Sequence, residues 1–232
     1  MSNPKHIVIL TGAGISAESG IQTFRDAGGL WEGHAVEQVA TPEGFAADPK
    51  LVHRFYNLRR AALNSVEPNA AHIALGRLQA EFDGRSTIVT QNVDDLHERG
   101  GAADVIHMHG ELCSAFCTSC HHRWRQVENL SVETPCPACQ TIGGPRPNIV
   151  WFGEMPYEMD RIEQALQGCD LFVSIGTSGA VYPAAGFVQL AHMHGVQTLE
   201  LNLEPSQGSA FFSETRYGLA TKLVPQWVDS LI

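Results

Sequence analysis

With 232 residues, 44% of them hydrophobic, and a formal net charge of −10, the chain can bury a real core as one large domain or a large domain plus a small one. The acidic balance argues against non-specific nucleic-acid binding but suits cationic partners such as lysine-rich peptides. No apolar run approaches the ~18 residues of a membrane span, and residues 6–10 are too short for a signal-peptide core, so a cytoplasmic location and no membrane partner are expected.

Residues 6–10 (HIVIL) read as a first strand that runs into Gly12-Ala13-Gly14-Ile15-Ser16-Ala17. This is a GxGxxA pattern, in which glycines allow close approach of a diphosphate and a following helix offers its N-terminal amides. A tight structural turn is the other reading of the same residues. The acidic residue that such a fingerprint expects about 20 residues on falls within 29–33, a loop-like stretch. The ribose must then be held elsewhere, with Asn202-Leu203-Glu204 as the candidate. Residues 24–66 are mixed and hold two prolines; they read as a mobile loop followed by inserted helices. Periodicity predicts a helix over 70–82, then a strand over 86–90 ending at Gln91-Asn92. Further on, a helix is predicted over 159–166, a strand over 170–175 ending at Gly176-Thr177-Ser178, a helix over 184–194 and a strand over 197–201. Apolar strands alternating with helices predict an α/β fold, a Rossmann-like doubly wound parallel sheet with ligands at the carboxyl ends of its strands. The predicted division is a nucleotide-binding domain over 1–30, 67–112 and 148–232, a loop and helical insertion over 31–66, and a metal module over 113–147.

The module rests on Cys117-x2-Cys120 and Cys136-x2-Cys139. Four thiolates at this spacing are a zinc pattern, and a closed tetrahedron leaves no position for water, so the metal is expected to be structural. His121 and His122 could compete as ligands but sit too close to Cys120. Cys113 and Cys169 read as packed small side chains. His107 and His109 flank Met108; on an extended chain both would face one side. His109 precedes a glycine, which favours close approach by a ligand, and is the candidate base. Gln91, Asn92 and Asp94 offer amides and a carboxylate at another strand end.

Taken together, GAGISAESGIQTFRDAGGLW, TQNVDDLH, HMHGEL, the four cysteines, VWFGE, GTS and NLE resemble the sirtuin family of NAD-dependent protein deacylases, in order and over nearly the whole chain. The resemblance is to the compact bacterial type. It implies NAD as co-substrate, one structural zinc, and transfer of an acyl group from lysine to ADP-ribose with release of nicotinamide. It implies His109 as general base, with Asn92 and Asp94 around the nicotinamide and its ribose and Gln91 as a ribose contact. Gly12, Ala13, Gly14, Ser16, Phe24 and Arg25 match the cofactor loop. Gly176, Thr177, Ser178, Asn202, Leu203, Glu204 and Ala220 match diphosphate and adenosine contacts. Val150, Trp151, Phe152 and Gly153 match the strand that pairs with an acylated peptide, a β-augmentation.

Tyr56 and Arg59 lie three apart and share a helix face. They resemble the YxxR pair of family members that remove succinyl and malonyl groups, with Ala40 as the small residue beside it; acetyl groups are also expected to be accepted. Read without the family, Arg59 and Arg60 would sit on a solvated helix face. Two competing functions are an ADP-ribosyltransferase on the same NAD site and a non-enzymatic acyl-lysine sensor. A monomer is expected.

Overall fold

The computed structural model describes residues 4–22, 30–31 and 33–232. The first strand, β1 (His6–Thr11), leads into a single helical turn, α1 (Gly14–Ala17). A short hairpin follows, β2 (Leu30–Trp31) with β3 (His34–Ala35), and then α2 (Val36–Val39), α3 (Pro42–Ala47) and α4 (Pro49–Ala62). Both prolines of this region stand at helical position N1, where no amide is needed. Thr41 and Asp48 cap the two helices by accepting the Gly44 and Leu51 N–H groups at 2.9 Å each.

Next come α5 (Ala70–Glu81), β4 (Arg85–Thr90), α6 (Leu96–Arg99) and β5 (Val105–His107). The strands β6 (Gly110–Cys117), β7 (Arg123–Arg125) and β8 (Pro145–Ile149) form a separate antiparallel sheet in the order β7-β6-β8. The chain then returns through α7 (Met159–Gln167), β9 (Leu171–Ile175), α8 (Phe187–Met193), β10 (Gln197–Asn202), β11 (Glu214–Tyr217) and α9 (Ala220–Asp229).

The main sheet is parallel throughout, in the order β11-β10-β9-β1-β4-β5. From β1 the chain moves outward through β4 and β5, then comes back to β9 on the other side and moves outward again. The topological switch point, where open α/β sheets bind ligands, therefore lies between β1 and β9. Alternate residues of the strands from β10 to β5 feed two cores. Ile7, Ile9, Ile88, Val173 and Leu199 pack on Leu75, Leu78, Val224 and Trp227 of α5 and α9. Val8, Leu10, Val89, Ile106 and Phe172 pack on Ile162, Leu166, Val188 and Ala191 of α7 and α8. Burial on both faces is why the central strands β1 and β9 are nearly continuous apolar runs, each large side chain contributing about 1.5–3 kcal/mol.

Register then fixes the site. Thr11 pairs with both Thr90 and Ile175, Leu201 pairs with Ile175, and Thr90 pairs with His107. The strand ends are level, so Gly12, Gln91, Gly176, Asn202 and the turn after His107 emerge side by side on one edge. A third core holds Val39, Ala40, Val52, Phe55, Tyr56, Leu112, Ile149 and Trp151, and joins the helical insertion to the small sheet.

Candidate active site

A cleft of about 1230 Å³ runs along that edge. Among the described residues it collects Gly12, Ala13, Gly14, Ser16, Gln91, Asn92, Asp94 and His109 from one side of the switch point, and Gly176, Thr177, Ser178, Asn202, Leu203, Glu204 and Ala220 from the other. Ala40, Tyr56, Arg59, Val150, Trp151, Phe152 and Gly153 line the same space. Phe24 and Arg25 lie outside the described residues. The space is roomy enough for a ligand of dinucleotide size, since drug-sized sites run to about 300–1,000 Å³.

The glycine loop is shaped differently from the simple expectation. The N–H groups of Gly12, Gly14, Ile15 and Ser16 are taken by the carbonyls of Ile175, Gly176, Gly12 and Ala13, and α1 is only four residues long, so its macrodipole is slight. What the glycines permit is interlocking of the β1 and β9 loops: a Cβ on Gly14 would lie 2.7 Å from the Gly176 carbonyl oxygen. Two further ties brace these loops, the first across the switch point and the second between the ends of β9 and β10. Gln91 Nε2 donates to Thr177 Oγ1 at 3.0 Å, and Asn202 Nδ2 donates to the Thr177 carbonyl at 2.8 Å.

Beneath the cleft, Ser16 is the hub of a buried network. Its Oγ accepts from Asn92 Nδ2 at 3.1 Å and donates to Asp94 Oδ2 at 3.1 Å. His72 Nδ1 accepts the Asn69 N–H at 3.3 Å, so its proton is on Nε2, which lies 3.3 Å from the same Ser16 oxygen. Burial pushes the His72 pKa down to about 4 and pushes Asp94 up. A buried amide, carboxylate and neutral imidazole thus share one hydroxyl, which fixes how Asn92 and Asp94 face the cleft. Sequence reasoning missed His72. The available signal was its place three residues after the helix-capping Asn69, where a polar side chain folds back on the helix start.

His109 and His107 part company. The chain is not extended here: β5 stops at His107, and Met108 and His109 form a turn. His107 lies off the cleft, with Nε2 2.7 Å from Glu98 and Nδ1 3.3 Å from the Asn92 carbonyl. Burial works against its charged form, but the Glu98 hydrogen bond and charge prevail and raise its pKa. His109 lines the cleft, and its Nδ1 lies 3.1 Å from the Gln91 carbonyl. A carbonyl only accepts, so the Nδ1 proton is fixed there and Nε2 keeps its lone pair. Burial lowers the His109 pKa, which leaves a neutral imidazole at pH 7. Gly110 follows with φ +83°, and a Cβ there would meet the Asn148 carbonyl oxygen at 2.0 Å. Glycine at 110 is what lets β6 leave so tightly from the histidine.

The four cysteines come together. Their Sγ atoms lie within 4.8 Å of one another, with Cys117–Cys139 and Cys120–Cys136 both at 3.7 Å. A tetrahedral zinc with Zn–S bonds of about 2.3 Å requires sulfur–sulfur edges of about 3.8 Å, so the set fits one zinc ion. The two knuckles repeat each other: His121 N–H donates to the Cys117 carbonyl and Gln140 N–H to the Cys136 carbonyl, each from a residue with φ near 60°. His121 is therefore part of the turn. Cys169 is buried and Cys113 half-buried.

Around Tyr56 and Trp151 one alternative falls away and one expectation changes. Arg59 and Arg60 do not sit on a solvated face: Arg59 is half-buried in the cleft wall and Arg60 is 4% exposed, whereas Leu58 between Asn57 and Arg59 is 65% exposed. The segment from Val150 to Gly153 is not a strand, since β8 ends at Ile149. The N–H groups of Val150, Trp151 and Phe152 are already given to the His109 carbonyl, Glu154 Oε2 and the Ala40 carbonyl, all at 2.9 Å. An incoming peptide strand cannot use those three donors as they stand. Glu154 also holds Arg146 at 2.8 Å, and Arg146 lies 3.6 Å above the Trp151 ring. Trp151 Nε1 in turn donates to the Tyr56 hydroxyl at 2.9 Å.

Comparison with known proteins agrees with this geometry. A model of the Sir2 family matches residues 12–183. A protein of Vibrio parahaemolyticus named NAD-dependent protein deacylase is 57% identical over 230 residues, covering 98% of this chain and 95% of that one. A protein of Caulobacter vibrioides with the same name is 54% identical over 229 residues, covering 97% and 96%. Among solved structures, a complex of a Sir2 homologue with NAD has a TM-score of 0.90 at 35% identity, covering 98% of this chain and 90% of that one. A Sir2 protein bound to acetylated peptide has a TM-score of 0.82 at 26% identity, covering 98% and 93%. On these matches and the parallel-sheet fold with its four-cysteine cluster, the chain belongs to the Sir2 family.

Proposed function

We propose that the chain is an NAD-dependent protein-lysine deacylase that acts on acyl groups ending in a carboxylate, succinyl and malonyl, as well as on acetyl. Relatives named deacylases at 54–57% identity support the coarse activity. The acyl preference rests on one observation: Tyr56 and Arg59 line the cleft that also holds His109. Burial pushes the Tyr56 pKa up, and the Trp151 hydrogen bond and the Arg59 charge oppose it only in part. The phenol is thus protonated at pH 7, and with Trp151 N–H bonded to its oxygen it acts toward an acyl carboxylate as a donor. Arg59 supplies the charge and the fork that carboxylates prefer.

NAD supplies the ribose carbon that takes the acyl oxygen as nicotinamide leaves. The residues of this chain do the rest. The Ser16-held pair Asn92 and Asp94 orients the nicotinamide ribose and favours developing positive charge there. His109 Nε2 then takes the proton of a ribose hydroxyl, its Nδ1–H remaining on the Gln91 carbonyl. The products on this reading are deacylated lysine, nicotinamide and O-acyl-ADP-ribose. Zinc stays outside the chemistry. The acidic surface suits lysine-bearing peptides.

The deciding experiment compares peptides that differ only in the acyl group, with wild type and Arg59→Met. Desuccinylation is expected to fall at least ~100-fold in Arg59→Met, the loss of a charged, forked hydrogen bond, while deacetylation persists. Equal losses on both peptides remove the carboxylate role. Mass added to the target protein, in place of deacylated lysine, would assign ADP-ribosyl transfer.

A further inference from the structure

Helix α4 presents neighbouring residues to two different parts of the molecule. Tyr56 and Arg59 line the cleft. Asn57 and Arg60, each one residue further along, reach the metal module instead. The Asn57 carboxamide pairs both ways with the Leu130 backbone, Nδ2 donating to its carbonyl at 2.8 Å and Oδ1 accepting its N–H at 2.9 Å. Arg60 donates from Nε to the Leu112 carbonyl at 2.7 Å, and from Nη1 to Asn57 Oδ1 at 2.9 Å and to the Glu128 carbonyl at 3.4 Å. Leu130 is buried under this cluster. Glu128 and Leu130 lie between the two cysteine pairs, and Leu112 lies on β6 just after His109. One buried clamp thus joins the acyl-facing helix, the metal module and the strand that leaves the candidate base.

We propose that Asn57 and Arg60 are positioning residues for acyl selectivity: by pinning helix α4 to the segment around Leu130, they set where Tyr56 and Arg59 meet the acyl carboxylate. This inference rests on the carboxylate role argued above for Tyr56 and Arg59. The physical reason is tolerance. A forked guanidinium–carboxylate contact needs its partners placed to about 0.5 Å and 10–20°. Small rotations of α4 would swing the ends of long side chains by more than that. An acetyl group has no carboxylate and makes no such demand, so its removal should survive a loosened helix. The metal module then does more than brace the fold, because its docking on α4 is part of what reads the acyl chain.

The test measures kcat and KM on acetyl and succinyl peptides for Asn57→Ala, Asn57→Asp and Arg60→Lys, together with hydrogen exchange over residues 49–62 and zinc content. Asn57→Ala is expected to raise KM for the succinyl peptide about 10-fold or more, with KM for the acetyl peptide unchanged, zinc retained and exchange over 49–62 faster. Asn57→Asp keeps the acceptor for Leu130 and Arg60 and should recover part of the succinyl KM. Arg60→Lys keeps the charge, loses the fork, and should give the same split at smaller amplitude should the alanine variant fail to fold. Equal KM changes on both peptides, or none on either, overturn the clamp. Arg59→Met in parallel separates the two ideas. If Arg59→Met discriminates between the peptides and the Asn57 and Arg60 variants do not, only the clamp fails. If Arg59→Met itself does not discriminate, the carboxylate role fails and the clamp's role in selectivity fails with it.

Discussion

The parallel sheet and the small sheet beside it keep their shapes by different means. The first buries apolar side chains on both faces, with Ile7, Ile9 and Trp227 on one and Val8, Leu10 and Phe172 on the other. The second has less to bury: Leu112 and Ile149 at its inner end join the third core, and from Cys113 to Pro147 the buried apolar side chains are Ala115, Leu130, Pro145 and Pro147, plus two of the cysteines. Its order comes from four thiolates, from the paired turns after Cys120 and Cys139, and from the Asn57–Arg60 contacts. A structural zinc contributes about 10–16 kcal/mol in small peptides, more than a pair of buried side chains can. The cleft sits between the two regions, and its parts inherit the difference: the edge of the parallel sheet is level because strands are in register, whereas the α4 wall with Tyr56 and Arg59 is held by polar contacts of Asn57 and Arg60 to the segment around Leu130.

This contrast can be broken in order of expected effect. Cys117→Ala or Cys136→Ala should release zinc and abolish deacylation, with hydrogen exchange rising over 113–147 while residues of β1, β4 and β9 stay protected. Equal loss of protection in the main sheet would mean that the two regions fold as one unit. His109→Ala should lower kcat about 10²- to 10⁴-fold, the range for a lost general base, with zinc stoichiometry and melting temperature preserved; retained turnover would reassign the base. Ser16→Ala should cost about 10- to 100-fold in turnover, because Asn92, Asp94 and His72 each lose a buried partner, and zinc content should not move. A drop in zinc content would show that the hub and the module are linked.

The last expected effect is on the pH dependence of stability and belongs to the helices α5 and α6 beside the main sheet. Burial pushes His72 down to about 4 and His97 to about 3. In the unfolded chain both titrate near 6.5, so below that value the unfolded state binds more protons. Stability should thus be fully present above pH 6.5 and fall progressively toward pH 4. Melts of wild type and His72→Gln between pH 7 and 4.5 would check this, the variant losing less on acidification; identical slopes would exclude His72 as a contributor. With His109 as the proposed base, its lowered pKa should place the acid limb of kcat/KM below the ordinary imidazole value, which a pH–rate profile checks.

How much of this was legible in the sequence varies with the range of the interactions involved. The strands over 6–11, 85–90, 171–175 and 197–202 follow from apolar runs, and the four cysteines follow from spacing. The short strands β5 and β11 carry too few apolar residues to stand out, and β11 is exposed along its length. Helix α4 is legible only in part: helical spacing puts Tyr56 and Arg59 on one face, but Leu58 points outward and Arg60 inward, against hydropathy. Hydropathy assigns Arg60 to the surface since it knows nothing of the Leu112, Glu128 and Asn57 oxygens waiting for it. His107 and His109 look equivalent on paper, and only the turn at Met108 sends one to Glu98 and the other to the cleft.

The chain by itself determined the period of its strands, the loop glycines and the metal spacing, because each is a property of neighbours a few residues apart. Tertiary structure alone decided which polar groups meet. Ser16 stands 56 residues from His72 and 78 from Asp94, and Asn57 stands 73 from Leu130. Their pairing depends on strand register and on burial, which set both geometry and protonation. No local pattern encodes such distances.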